Sequence, residues 1–138
     1  MKTVYVSLIG DLLHAGHMRI LKKASEMGEV TVGLLTAKAI DEMNDRAFLS
    51  YSQREEALNA ISCVKTIIPQ DNASYCTNIK QLKPDFVIHG NDWKKGSQKK
   101  TREDVIKCLN IWGGKLIEVK YTKGISTTFI INKLNKNN

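Results

Sequence analysis

The spacing of apolar positions changes repeatedly along the chain. Residues 3–9, TVYVSLI, are β-branched and apolar in near-continuous succession, the pattern of a parallel strand buried on both faces. In the following AGHMRILKKASEMG, Met18, Leu21, Ala24 and Met27 recur every three residues, which predicts a helix with Gly28 as its stop. VTVGLLT (30–36) predicts a second buried strand and AKAIDEMN a short helix. In SYSQREEALNAI, Ser52 stands three residues before Glu55, a capping-box spacing that predicts a helix start. KTIIP predicts a short strand, residues 74–82 a weaker helix, and DFVIHG (85–90) the fourth strand. KKTREDVIKCLNIWGG predicts a helix ending at Gly113 and Gly114, KLIEVKY a fifth strand, and STTFIINKLNK a closing helix before a polar NKNN tail expected to fray.

Alternation of buried strands with helices implies a Rossmann-like, doubly wound, five-stranded parallel sheet in a single domain covering residues 1–138. Ligands of such sheets sit beyond the carboxyl ends of the strands, at the switch point. The segments after the first, fourth and fifth strands (11–17, 90–93 and 121–128) are therefore expected to share one mouth. No repeat, linker or low-complexity tract interrupts the pattern.

Charge narrows the partner. The net charge of +7 suits an anionic ligand. Basic residues are spread out apart from KKGSQKK (94–100), which favours a phosphate-bearing small molecule over a nucleic-acid groove; that run fits a solvated surface equally well. Hydrophobic residues make up 42%, enough for a packed core. No apolar run reaches membrane-spanning length and no signal-peptide pattern is visible, so a cytoplasmic location is expected. Cys63, Cys76 and Cys108 are odd in number and lack metal-ligand spacing; buried or idle reduced thiols are the expectation.

The chemistry concentrates in DLLHAGH (11–17). His14 and His17 flank a helix start, and Ala15 and Gly16 between them are small enough for a close ligand approach. A helix N-terminus offers free N–H groups and partial positive charge to phosphate, and two imidazoles beside it can donate to an α-phosphate that gains charge under attack. A second signal is GISTTFII, where Gly124 permits a turn and Ser126, Thr127 and Thr128 set three hydroxyls at another helix start, more than one N-cap needs. Asp92 and Trp93, after the fourth strand, suit either a ligand contact or a loop cap with the indole covering the sheet edge. Trp112, before two glycines, reads as packing at a helix end.

DLLHAGH, GNDW and GISTT, in that order, make the chain resemble the cytidylyltransferase family of the HxGH nucleotidyltransferases over nearly its whole length. That family joins CTP to a phosphorylated or phosphonylated alcohol and releases pyrophosphate. The resemblance implies that His14 and His17 stabilise the transition state. Ile9, Gly10, Asp11, Gly16, Gly90, Asn91, Asp92, Trp93, Tyr121, Gly124, Ile125, Ser126, Thr127 and Thr128 would bind CTP and its phosphates. Asp11 would also meet Mg²⁺, and Arg46 and Arg54 the acceptor. It further implies a homodimer with no nucleic-acid or membrane partner. Where glycerol-3-phosphate and choline-phosphate enzymes carry G-T-F-D, this chain has Leu8-Ile9-Gly10-Asp11, and where they carry an arginine before T-x-G it has Tyr121. VTVGLLT, LSYSQR, LKPDFVIHGNDW and YTKGISTT instead resemble the cytidylyltransferase domains associated with phosphoenolpyruvate mutase, so a phosphonate acceptor is expected, with Arg46 supplying a cation.

The expected reaction is direct in-line attack by an anionic acceptor oxygen, with no protein nucleophile. Alternatives are a glycerol-3-phosphate or other phosphoalcohol cytidylyltransferase, an adenylyl-transferring relative, and a nucleotide-binding module without turnover. An RNA-binding reading lacks an aromatic platform and any K-M-S-K-S-like stretch.

Overall fold

Strands and helices alternate through the computed structural model, which describes residues 1–94, 96–120 and 127–136, with the side chains of 92, 127–130 and 136 left out. Strands β1 (Thr3–Leu8), β2 (Glu29–Leu35), β3 (Thr66–Gln70), β4 (Phe86–Gly90) and β5 (Lys115–Val119) lie in the order β3-β2-β1-β4-β5, every pair parallel. Helices α1 (Ala15–Met27), α2 (Ala37–Glu42), α3 (Tyr51–Asn59), α4 (Cys76–Leu82), α5 (Lys99–Asn110) and α6 (Thr127–Lys136) connect and follow them, and a 3₁₀ turn, Asn91–Trp93, follows β4. The expected doubly wound five-stranded sheet is present.

Successive strand residues point to opposite faces, and both faces are covered. Val4, Val6, Val32 and Ile88 pack with Leu21 and Ala24 of α1 and Leu58 of α3. Tyr5 and Val87, one residue out of phase, pack on the other face with Ile79 of α4 and Val105 and Leu109 of α5. Two covered faces explain why these strands read as nearly continuous apolar runs.

The site position follows from one irregularity. β1 pairs with β2 along its whole length, from Thr3–Glu29 to Leu8–Leu34, but with β4 only at Val4–Phe86 and Tyr5–Val87. The carboxyl ends of β1 and β4 therefore part, at the point where the strand order reverses. A crevice at that position is where doubly wound sheets bind ligands.

Four local expectations are corrected. Leu21 and Ala24 are buried and Met27 packs beside them, but Met18 is 36% exposed, and Gly16 is the buried residue of the first turn. Gly28 does follow α1, yet its φ of 167° is extended. Its role is close approach, since a Cβ there would lie 2.5 Å from the carbonyl oxygen of Lys2. Helix α3 begins after Ser50, not Ser52. The Ser50 hydroxyl accepts from Gln53 N–H at 3.2 Å, and Gln53 Oε1 accepts from Ser50 N–H at 3.0 Å. Finally, Cys76 and Cys108 are joined in a disulfide, their Cα atoms 6.2 Å apart, because α4 and α5 lie side by side on one face; Cys63 is free.

Candidate active site

The loop from β1 to α1 forms one wall of the crevice, and its two histidines cap the helix jointly. His14 is the N-cap of α1; its Nδ1 accepts from Gly16 N–H at 3.0 Å. His17, at the third helical position, reaches back, and its Nδ1 accepts from His14 N–H at 3.2 Å. This is a capping box in which imidazoles replace the usual hydroxyl and carboxamide. An Nδ1 that accepts carries no proton, so each neutral ring bears its hydrogen on Nε2. The ring centroids lie 4.1 Å apart. Burial lowers the pKa of both, that of His17 to about 4, with His14 beside it pressing the same way. At neutral pH the loop thus carries two uncharged imidazoles as Nε2–H donors, at a helix end that is itself electropositive.

The loop is fastened from both sides. Asp11 accepts the N–H groups of Phe48 and Leu49, each at 2.9 Å, one on each carboxylate oxygen. Arg54 of α3 is 2% exposed and donates to the carbonyls of Ile9 and Leu35, both at 2.7 Å, and of Leu49 at 3.2 Å. It gathers the carboxyl ends of β1 and β2 and the entry to α3. The side chain expected to meet an acceptor is enclosed and holds backbone instead. Gly10, between these fastenings, has φ +69°, and a Cβ on it would stand 3.1 Å from Leu34 and 3.3 Å from Leu58. The position thus suits a glycine. Ile9 packs beside Leu35, Ala39 and Ile40. Arg46 is exposed, its guanidinium 5.8 Å from the Phe48 ring centroid.

The facing wall is the turn after β4. Gly90 is buried at the end of the strand and Asn91 is exposed on the turn. Trp93 is 2% exposed; its indole stacks on His89 at 3.7 Å between centroids and donates its N–H to Glu118 at 3.0 Å. The ring lies inside the fold rather than open to a ligand. His89 has no role in the sequence reading; its position at the end of β4, beside Gly90, is the signal that marks it. Its Nδ1 donates to the Gly90 carbonyl at 2.7 Å, the opposite tautomer to that of His14 and His17. The Asp92 side chain, and Tyr121, Gly124, Ile125 and Ser126, lie outside the described residues. Thr127 and Thr128 open α6, their side chains likewise not described. The described structure brings the segments around His14, Asp11, Arg54 and Gly90 to the carboxyl edge of the sheet, and its account of the third segment begins at Thr127.

Among the described residues no group of three or more His, Cys, Asp and Glu is arranged to hold a metal ion. None of their helices is long and apolar enough to cross a membrane.

Relatives carry the same frame. The bifunctional protein HldE of Geobacter metallireducens is 30% identical over 138 residues, covering 96% of this chain and 27% of that protein. HldE of Hydrogenovibrio crunogenus is 28% identical over 138 residues with the same coverage. The chain thus spans about a quarter of the length of these curated relatives. A lipopolysaccharide core biosynthesis protein from Thermoplasma volcanium GSS1 shares the fold, with a TM-score of 0.72 at 19% identity over 91% of this chain and 99% of that one. The cytidylyltransferase-like family model matches residues 11–133, from the aspartate that opens the histidine loop into α6. With that match running over both walls of the crevice, the chain belongs to the cytidylyltransferase-like family.

Proposed function

We propose that the chain transfers a nucleotidyl group from a nucleoside triphosphate, CTP by its sequence motifs, to a small phosphonate or phosphate acceptor. The observation that carries this reading is the joint cap, which leaves two Nε2–H donors at a helix N-terminus. An anionic acceptor oxygen attacks the α-phosphorus, the bond to the β-phosphate oxygen breaks, and pyrophosphate departs. The attacking oxygen is already ionised, so the reaction needs no protein nucleophile and no general base. His14 and His17 hold charge that grows on the α-phosphate, and the α1 terminus adds its dipole. Neutral imidazoles suit this task, because they donate without fixing the ground-state triphosphate by full charge.

The described residues do not form a metal cage, and both oxygens of Asp11 already accept main-chain N–H groups. Mg²⁺ enters this reading with the triphosphate, and Asp11, whose oxygens each keep a lone pair beyond the N–H they accept, is the residue that would meet it. On the acceptor side, Arg46 is the exposed cation near the loop that Asp11 holds. The phosphonate preference rests on the sequence resemblance to the domains associated with phosphoenolpyruvate mutase, and glycerol 3-phosphate is its competitor. ATP as donor is the second reading, because the H-x-G-H pattern of His14 to His17 is shared with ATP-using nucleotidyltransferases.

The test is pyrophosphate release with CTP or ATP, Mg²⁺, and a panel of 2-hydroxyethylphosphonate, 2-aminoethylphosphonate, glycerol 3-phosphate and phosphocholine. CTP with a phosphonate is expected to turn over fastest. Binding of CTP by calorimetry with no turnover for any acceptor would replace the enzyme with a nucleotide-binding module. Light scattering on the same samples tests the homodimer.

A further inference from the structure

Glu118 lies near the end of β5, away from the histidine loop, yet it joins three elements. Its carboxylate accepts the Trp93 indole N–H at 3.0 Å and the Arg102 guanidinium of α5 at 2.8 Å, with two further contacts from Arg102 Nε at 3.3 Å. Trp93 in turn stacks on His89, the two rings nearly parallel at 8°, and its centroid lies 5.8 Å from that of the Tyr75 ring. The Asn91–Trp93 turn is thereby tied to β5 and α5 by its last residue, while its first follows Gly90 at the crevice. That turn is the wall opposite His14 and His17, where β1 and β4 part. A turn of three residues has little internal cohesion, so its placement relies on such ties.

We infer that Glu118, acting through the Trp93 indole N–H, is a positioning residue that holds the Asn91–Trp93 turn in its nucleotide-receiving arrangement. Arg102 orients the carboxylate and keeps it ionised, in line with the downward shift of the Glu118 pKa that the Arg102 hydrogen bond causes first and the Trp93 bond reinforces. The role concerns nucleotide binding rather than the chemical step, because the hydrogen bonds of Glu118 run to Trp93 and Arg102 and hold the turn, whereas the histidine rings are set by their own cap. This inference rests on the nucleotidyl-transfer reading above.

The experiment uses the full chain in a Trp112→Phe background, so that Trp93 is the only indole emitter. Trp93→Phe keeps the ring stack and deletes only the N–H; Glu118→Ala deletes the acceptor; Glu118→Gln keeps an oxygen to receive the N–H. Trp93→Phe and Glu118→Ala are expected to raise the nucleotide KM about tenfold, the scale of one hydrogen bond to a charged group, with kcat near that of the parent. Glu118→Gln is expected to restore KM. Trp93 emission should shift to the red in Glu118→Ala and stay in place in Glu118→Gln. A fall in kcat at unchanged KM, or no change in Trp93→Phe, overturns the assignment. Absence of nucleotide binding by the parent chain overturns the nucleotidyl-transfer reading, and this role with it, before any variant is compared.

Discussion

His14 and His17 each receive a main-chain N–H on Nδ1, one from Gly16 and the other from His14 itself, so the proposed catalytic pair also starts helix α1. The two roles use different nitrogens of the same rings. Activity and stability should therefore separate when the rings are changed.

Replacing His17 by alanine removes one donor and half of the cap. Turnover is expected to fall about 10²–10³-fold, as for loss of one oxyanion-hole donor. Stability should fall by only about 1 kcal/mol, the usual cost of a lost cap. Pyrophosphate release and urea unfolding on the same preparation check the split. Equal modest losses in both would reduce His17 to a cap.

The same ring sets a pH dependence. Its folded pKa, lowered to about 4, lies below the ordinary histidine value of 6.5. Between those values the unfolded chain binds a proton that the folded chain refuses, so stability is whole above about pH 6.5 and declines as pH falls toward 4. His17→Gln retains a capping oxygen, as Gln53 does in α3, but cannot titrate. Thermal unfolding from pH 7.5 to 4.5 should show a shallower loss for His17→Gln than for the parent. Parallel curves would mean that His17 protonates freely in the fold.

Gly10→Ala forces a side chain into a left-handed conformation and against Leu34 and Leu58. A cost of about 1–2 kcal/mol is expected from the backbone alone. Denaturant midpoints would register it, and an unchanged midpoint would show that the loop can turn another way.

Removing divalent cations should abolish turnover and leave the melting temperature unchanged, since the described residues hold no metal cluster. Melting curves with and without a chelator, in the absence of nucleotide, decide the point. A drop in melting temperature would reveal a structural ion.

Reduction should destabilise the chain. Cys76 and Cys108 are 32 residues apart, and a cross-link of that span contributes about 3–4 kcal/mol in the chain-entropy treatment. Dithiothreitol is expected to lower the melting temperature of the parent but not of Cys76→Ser/Cys108→Ser. Intact-mass measurement confirms the oxidised state, and indifference of the parent to reductant would refute the cross-link.

The sheet was legible because its central strands are covered on both faces and read as nearly continuous apolar runs, and β1 to β5 fall where the runs 3–9, 30–36, KTIIP, 85–90 and KLIEVKY place them. The start of α3 was ambiguous in principle. Ser50–Gln53 and Ser52–Glu55 both satisfy the capping pattern, and Asp11, 37 and 38 positions away in the chain, fixes Phe48 and Leu49 so that the earlier serine caps. The histidine loop was legible as a helix start by its spacing, but the direction of the Nδ1 atoms was not. Arg54 and Trp93 look like ligand contacts in one dimension; only the packed fold shows a guanidinium among carbonyls and an indole bonded to Glu118. Pairing of Cys76 with Cys108 likewise depends on α4 and α5 being neighbours, which no local pattern records.

Because Asp11 grips the N–H groups of Phe48 and Leu49 while Arg54 grips the Leu49 carbonyl and that of Ile9, the number of residues from Phe48 to Arg54 is constrained in a way most surface connections are not. Adding or deleting one residue there would pull Ile9 and Asp11 out of step with each other. Variation in length among natural or engineered versions of this chain belongs elsewhere on its surface, and this short connection acts as a gauge for the mouth of the sheet.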